Sequence, residues 1–149
     1  MAIRPPVGDP EFHSKEYWLL NKTLYGLRCS PRHWYNRFTS ILWQLGLQST
    51  PNDPCMFTGA IISNSLVSPT APLHVDVYVD DFVFYSTNPN VEALFQSELE
   101  KHIKVDFMGD VDFFLGTAFA WQQQDNGHIS VHMSQSAFND YVSHRFGVN

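Results

Sequence analysis

Long apolar runs, a cysteine framework and an excess of basic charge are all missing from this sequence. No hydrophobic stretch approaches the roughly 20 residues that a membrane-spanning helix needs. The amino terminus carries no cleavable-leader pattern, so no membrane partner is expected. The two cysteines, Cys29 and Cys55, match no metal-binding or redox spacing. They read as reduced thiols of an intracellular protein. Lys and Arg number 9 against 15 Asp and Glu, for a net charge of −6. That is the reverse of the basic footprint usual in nucleic-acid binding. No internal repeat is visible.

What is present is a globular composition. The 149 residues are 44% hydrophobic and 15% aromatic, enough for one domain with a modest core. The stretch with most information runs from His74 to Tyr85. Val75, Val77 and Val79 alternate with His74, Asp76, Tyr78 and Asp80, the period of two of a half-buried strand. Phe82 to Tyr85 is aromatic and β-branched, which suits a second strand. The expected hairpin buries the three valines and lifts Asp80 and Asp81 to its tip. Two-residue hairpin turns ordinarily use Asn-Gly or Gly-X. Adjacent aspartates repel, so the pair reads either as an acidic surface turn or as ligands of a hard divalent cation.

Around this hairpin the chain reads as follows. Residues 1–16 are rich in Pro and Gly, an extended arm, and Tyr17 to Leu20 is a short strand. Ser30 as N-cap and Pro31 as first helical residue open a helix to about Leu45, with Trp34, Phe38, Ile41, Leu42 and Leu45 as its apolar stripe. Arg28, Arg32 and His33 at its start suit either a bound phosphate or an ordinary solvated face. Met56 to Ile62 reads as a strand and Ser63 to Pro72 as a loop. Asn88-Pro89 opens a second helix to about Lys104, buried through Val91, Leu94, Phe95, Leu99 and Ile103, with Glu98, Glu100 and Lys101 in solvent. Phe113 to Trp121 and His128 to His132 are expected as strands joined at Asp125-Asn126-Gly127. Ser134 caps a last helix with Phe138, Tyr141, Val142 and Phe146 as its buried stripe and Gly147 at its stop. His128, His132 and His144 lack the cysteine or carboxylate company of a zinc site.

Several of these segments resemble one family. Tyr78-Val79-Asp80-Asp81 resembles the Tyr-x-Asp-Asp motif of reverse transcriptases. Leu24-Tyr25-Gly26-Leu27, with Ser30-Pro31 and Trp34-Tyr35, resembles the second polymerase motif in the copia-type retrotransposon form. Arg4-Pro5-Pro6-Val7-Gly8, Asp53-Pro54-Cys55-Met56-Phe57, Val105 to Gly109 and Phe113 to Gly116 resemble further copia-type segments, so the similarity covers nearly the whole chain.

The resemblance implies an α+β fold, an antiparallel sheet packed on helices, as in a polymerase palm. It implies that residues 1–149 are a partial reverse transcriptase domain, mostly palm, with an arm at 1–16. The first catalytic strand with its aspartate, the thumb and the RNase H domain are expected to lie outside these residues. In the intact enzyme Asp80 and Asp81 would be catalytic and would bind Mg²⁺, or Mn²⁺ in its place. Tyr78 and Val79 would support the primer end, Gly26, Ser30 and Arg32 the template and nucleotide side, and Phe114, Leu115 and Gly116 the primer strand. The partners implied are an RNA or DNA template with primer, deoxynucleotides and the remainder of the polyprotein. The location implied is cytoplasmic, in a virus-like particle, or nuclear. The negative charge leaves a second reading open, a non-catalytic remnant serving as a nucleic-acid or protein interaction module.

Overall fold

The computed structural model describes residues 2–13, 16–63, 66–67, 71–125 and 127–148. In chain order its elements are β1 (Ala2–Ile3), β2 (Trp18–Leu19), α1 (Ser30–Gln44), β3 (Leu47–Ser49), β4 (Met56–Gly59), β5 (Ile62–Ser63) and β6 (Leu66–Val67). There follow β7 (Leu73–Tyr78), β8 (Asp81–Ser86), α2 (Pro89–Glu100), β9 (Phe113–Phe114), β10 (Thr117–Gln123), β11 (Ile129–Ser134) and α3 (Ser136–Phe146). The fold is α+β, with antiparallel sheets and helices in the manner of a palm-like polymerase fragment.

The central sheet has the strand order β3-β4-β7-β8, all antiparallel. Its register sorts residues by face, since directly opposed residues point the same way. Val75 lies between Phe57 and Phe84, and Val77 opposite Phe82. This apolar face packs on α1 and α2. Phe38, Ile41, Leu42 and Leu45 come from the first helix region, and Val91, Phe95 and Leu99 from the second. Phe82, Phe84, Phe95 and Phe107 meet edge-on or tilted, with centroids 5.0–6.4 Å apart, the geometry that the aromatic quadrupole favours. Gly46 and Gly59 let β3 and β4 close: Gly46 has φ +92°, and a Cβ on either would lie 2.5 Å from a backbone oxygen.

Several local expectations need correcting. Ser30 is the first residue of α1 and caps nothing. Cys29 stands at the cap position in a helical conformation, and the Ser30 hydroxyl donates to the Leu24 carbonyl instead. Asn88 does cap α2, its side chain accepting from the Asn90 N–H. That helix stops at Glu100, short of Lys104, and Glu98 is nearly buried with its carboxylate 2.7 Å from Lys101. Residues 1–16 are not wholly an arm, because β1 pairs with β2. The stretch expected as a loop at 63–72 contains a short β5–β6 pair; Asn64, Ser65 and 68–70 lie outside the described residues.

The largest departure is at the carboxyl-terminal side. Phe113 to Trp121 is two strands, because Thr117 pairs with Phe114 around a two-residue turn. Leu115 (φ 51°) and Gly116 (φ 76°) are both left-handed there, the pattern of a type I′ turn. Gly127 (φ 81°) helps close the β10–β11 hairpin as expected, while Asn126 lies outside the described residues. Phe119, Trp121, Ile129, Val131 and Met133 share one face of that hairpin by register, and Trp121, Ile129, Val131 and Met133 are exposed. The stripe on α3 is not buried either: Phe138, Tyr141 and Phe146 face solvent. Gly147 does stop α3, in the left-handed conformation. Among the described residues, none after Leu99 is buried.

On the outer face of β7, His74 stacks on Tyr85 at 4.8 Å. Beside them Asp76 is partly buried. Loss of solvent, then the charge of Asp53, pushes its carboxyl above the ordinary range, while His74 acts the other way. A raised folded-state value means that the native state holds the proton more tightly than the unfolded chain does. Stability therefore falls as pH rises from the ordinary carboxylate range through the raised value. Asp76→Asn is expected to melt higher than the wild type at neutral pH, the difference vanishing well below about pH 4. Thermal unfolding followed by circular dichroism across pH checks this, and a difference constant with pH would refute it. The uneven burial gives a second expectation. Phe95→Ala should cost about 3–5 kcal/mol in urea unfolding, and Phe138→Ala less than about 0.5 kcal/mol.

Candidate active site

The pairing of Tyr78 with Asp81 leaves Val79 and Asp80 as a two-residue loop between β7 and β8. The turn is thus one position earlier than the Asp-Asp expected from the sequence, and Asp81 is the first residue of β8. Val79 has φ 54°, and the following Asp80 is not left-handed. Positive φ at the first turn residue alone is the type II′ pattern, which ordinarily takes glycine. A β-branched residue there is an outlier costing of order 1–3 kcal/mol, a cost that tends to be met at functional sites. It also turns Val79 out of the sheet. Val75 and Val77 are buried as expected, but Val79 is 54% exposed. Asp80 and Asp81 are both exposed at the tip.

A second turn reaches this tip. Leu24-Tyr25-Gly26-Leu27 closes with Leu27 N–H donating to Leu24 C=O at 3.4 Å, and Gly26 has φ 87°. Glycine at the third position suits a type II turn. The Ser30 hydroxyl bonds the same Leu24 carbonyl from the start of α1, so the turn is tied to the helix. Tyr25 sits at its second position, and its hydroxyl donates to Asp80 Oδ2 at 3.2 Å. That bond, followed by the charge of Asp80, pushes the Tyr25 phenol above its ordinary value, with smaller contributions from desolvation and Asp81.

The structure therefore gathers Tyr78, Val79, Asp80 and Asp81 on one turn. It brings the segment containing Gly26 to that turn through Tyr25, with Ser30 as its anchor. Arg32 is exposed on the first turn of α1, with no carboxylate partner among the described residues. Phe114, Leu115 and Gly116 form a separate hairpin, with no hydrogen bond or ring contact to Asp80 or Asp81 among the described residues. Tyr25 lies outside the residues that the sequence motifs assign to the site. The signal was the Tyr-Gly pair inside a four-residue turn, with a hydroxyl residue at the start of the following helix.

Could these groups hold a cation? Among the described residues no three His, Cys, Asp or Glu side chains lie together as a metal cage. Adjacent carboxylates on one exposed turn fit the other mode, in which Mg²⁺ is held by one or two carboxylates, keeps several waters and takes substrate phosphates for the rest.

Comparison with known proteins places the chain in a family. The sequence pattern of the family described as Reverse transcriptase (RNA-dependent DNA polymerase) matches residues 1–149. The chain is 26% identical over 129 residues to the Retrovirus-related Pol polyprotein from transposon TNT 1-94 of Nicotiana tabacum, covering 87% of this chain and 9% of that polyprotein. It is 25% identical over 142 residues to a protein assigned to transposon Ty5-1 of Saccharomyces cerevisiae, covering 95% of this chain and 42% of that protein. No solved structure matches. The family match spans residues 1–149, so the chain belongs to the reverse transcriptase (RNA-dependent DNA polymerase) family, as a fragment of the copia retrotransposon type.

Proposed function

We propose that this chain supplies the catalytic turn of an RNA-directed DNA polymerase, with Asp80 and Asp81 as the carboxylates that hold Mg²⁺ or Mn²⁺. The observation that carries this reading is the β7–β8 hairpin, which projects two adjacent carboxylates from a strained turn in a chain matched throughout to the family. When bound, divalent cations at such a site stabilise charge developing on the transferring phosphate. The protein's own part is placement. The central sheet fixes the height of Asp80 and Asp81, and Tyr78 and Val79 flank them as support for a primer end. Gly26 allows a close backbone approach on the template and nucleotide side, with Ser30 and Arg32 behind it. Phe114, Leu115 and Gly116, on their own hairpin, would meet the primer strand.

Two carboxylates make half of a two-metal clamp. On this reading the other half would come from a further strand. Among the described residues β8 pairs only with β7, which leaves backbone groups on its other side for a further strand. The family's upstream strand, bearing its aspartate, would pair there and bring a further carboxylate beside Asp80. The second reading, a non-catalytic interaction module, is favoured by the net charge of −6, which gives little counterion-release affinity for a primer–template.

Primer extension with labelled nucleotide separates the two. Residues 1–149 alone are expected to make no measurable DNA with Mg²⁺ or Mn²⁺. A longer chain carrying the upstream strand, with fingers and thumb, is expected to be active. In it Asp80→Asn should abolish synthesis, Asp81→Asn should impair it, and Asp112→Asn should matter little. Incorporation by residues 1–149 that disappears in Asp80→Asn would overturn the requirement for the upstream ligand. An active longer chain indifferent to Asp80→Asn would overturn the assignment itself.

A further inference from the structure

The contact between Tyr25 and Asp80 joins residues 55 positions apart, and packing does not account for it. Tyr25 is 92% exposed, so the ring contributes almost nothing to the core. What holds it in place is the turn beneath. Gly26 at φ 87°, the Leu27 to Leu24 backbone bond and the Ser30 hydroxyl on Leu24 together fix the direction in which the second turn residue projects. Asp80, by contrast, stands on a solvent-exposed hairpin tip, and Tyr25 is its one side-chain hydrogen-bond partner among the described residues.

We propose that Tyr25 is a positioning residue for the cation-binding carboxylate, its phenol fixing Asp80 through Oδ2 and leaving Oδ1 for a divalent cation. This rests on the reading of Asp80 as a metal ligand. A carboxylate offers about four lone-pair sites on its two oxygens, and a phenol donates a single proton, so most of the acceptor capacity of Asp80 remains free. A side chain already held in one rotamer loses less entropy when it binds. Carboxylates that ligate metals are commonly oriented by such outer hydrogen bonds. The chemistry of the donor matters as well. A lysine or arginine in the same place would orient Asp80 but would repel the cation, whereas a neutral phenol orients without adding positive charge. Ser30 acts one step further back, by holding the turn that holds Tyr25.

Titration of the 149-residue chain with Mn²⁺, reading the free ion by electron paramagnetic resonance, tests the proposal without any activity. Asp80→Asn reports on the ligand assignment and Tyr25→Phe on the positioning. Tyr25→Phe is expected to weaken Mn²⁺ binding roughly tenfold while leaving the circular dichroism spectrum and melting temperature unchanged. Added to Asp80→Asn, it is expected to cause no further loss, the coupling expected of two groups acting as one. In chain labelled with 3-fluorotyrosine, the ¹⁹F resonance missing from Tyr25→Phe should shift in Asp80→Asn, showing the contact directly. Binding lost in Asp80→Asn but unaltered or tightened in Tyr25→Phe would overturn the positioning role and leave the ligand assignment standing. Binding unaffected by Asp80→Asn, or no binding by the wild type, would overturn both.

Discussion

The register of β7 against β8 is the constraint on which the rest depends. With Val75 opposite Phe84 and Val77 opposite Phe82, one face of the hairpin is committed to the helices. A slip by one residue would reverse every side chain and put Asp76 and Tyr78 into the core. The same register ends the ladder at Tyr78 and Asp81, so the two aspartates fall at the tip by geometry. Burial at one end of the hairpin thus fixes exposure at the other. The left-handed Val79 is the local cost of a two-residue connection without glycine.

That hairpin belongs to a well-packed half of the molecule. Every buried hydrophobic residue among those described lies between Phe38 and Leu99, where two helices and four strands meet. Beyond Leu99 the chain forms regular elements without a core. The β9–β11 sheet and α3 each have an apolar side, yet Met133, Phe138 and Phe146 remain in solvent. Hydrogen bonds and turns define these elements, and burial does not. The Asp80-Asp81 tip accordingly stands on the packed central sheet, whereas the support of the Leu115-Gly116 hairpin is local.

The tip is also where the second motif arrives. Tyr25 and Asp80 are far apart in sequence, and each lies on a short turn built from its own neighbours. Their contact gives the copia-type Leu-Tyr-Gly-Leu segment a mechanical meaning: glycine shapes the turn, serine ties it to α1, and tyrosine spans the gap. On the proposed reading, two carboxylates with one neutral donor would make an open site for a cation that brings most of its own ligands.

Much of this was legible in the sequence. Alternation at Val75 and Val77, the stripe from Phe38 to Leu45 and the Asn88-Pro89 start each specify a local structure, because period and capping are properties of adjacent residues. The Tyr78–Asp81 and Leu24–Leu27 motifs likewise identified the family. Other features had no local signal. Alternation assigns Val79 to the buried face, but the strand ends one residue earlier because the turn needs two residues. Spacing puts Phe138, Tyr141 and Phe146 on one apolar face, but periodicity records only that a face is apolar, not that anything covers it. Ser30 looked like a cap, but its hydroxyl had a better partner in the Leu24 carbonyl. The sequence by itself determined the central hairpin, the starts of the first two helices and the family. Only the tertiary structure decided which apolar faces are buried and that Tyr25 meets Asp80, because both depend on contacts between residues the chain keeps far apart.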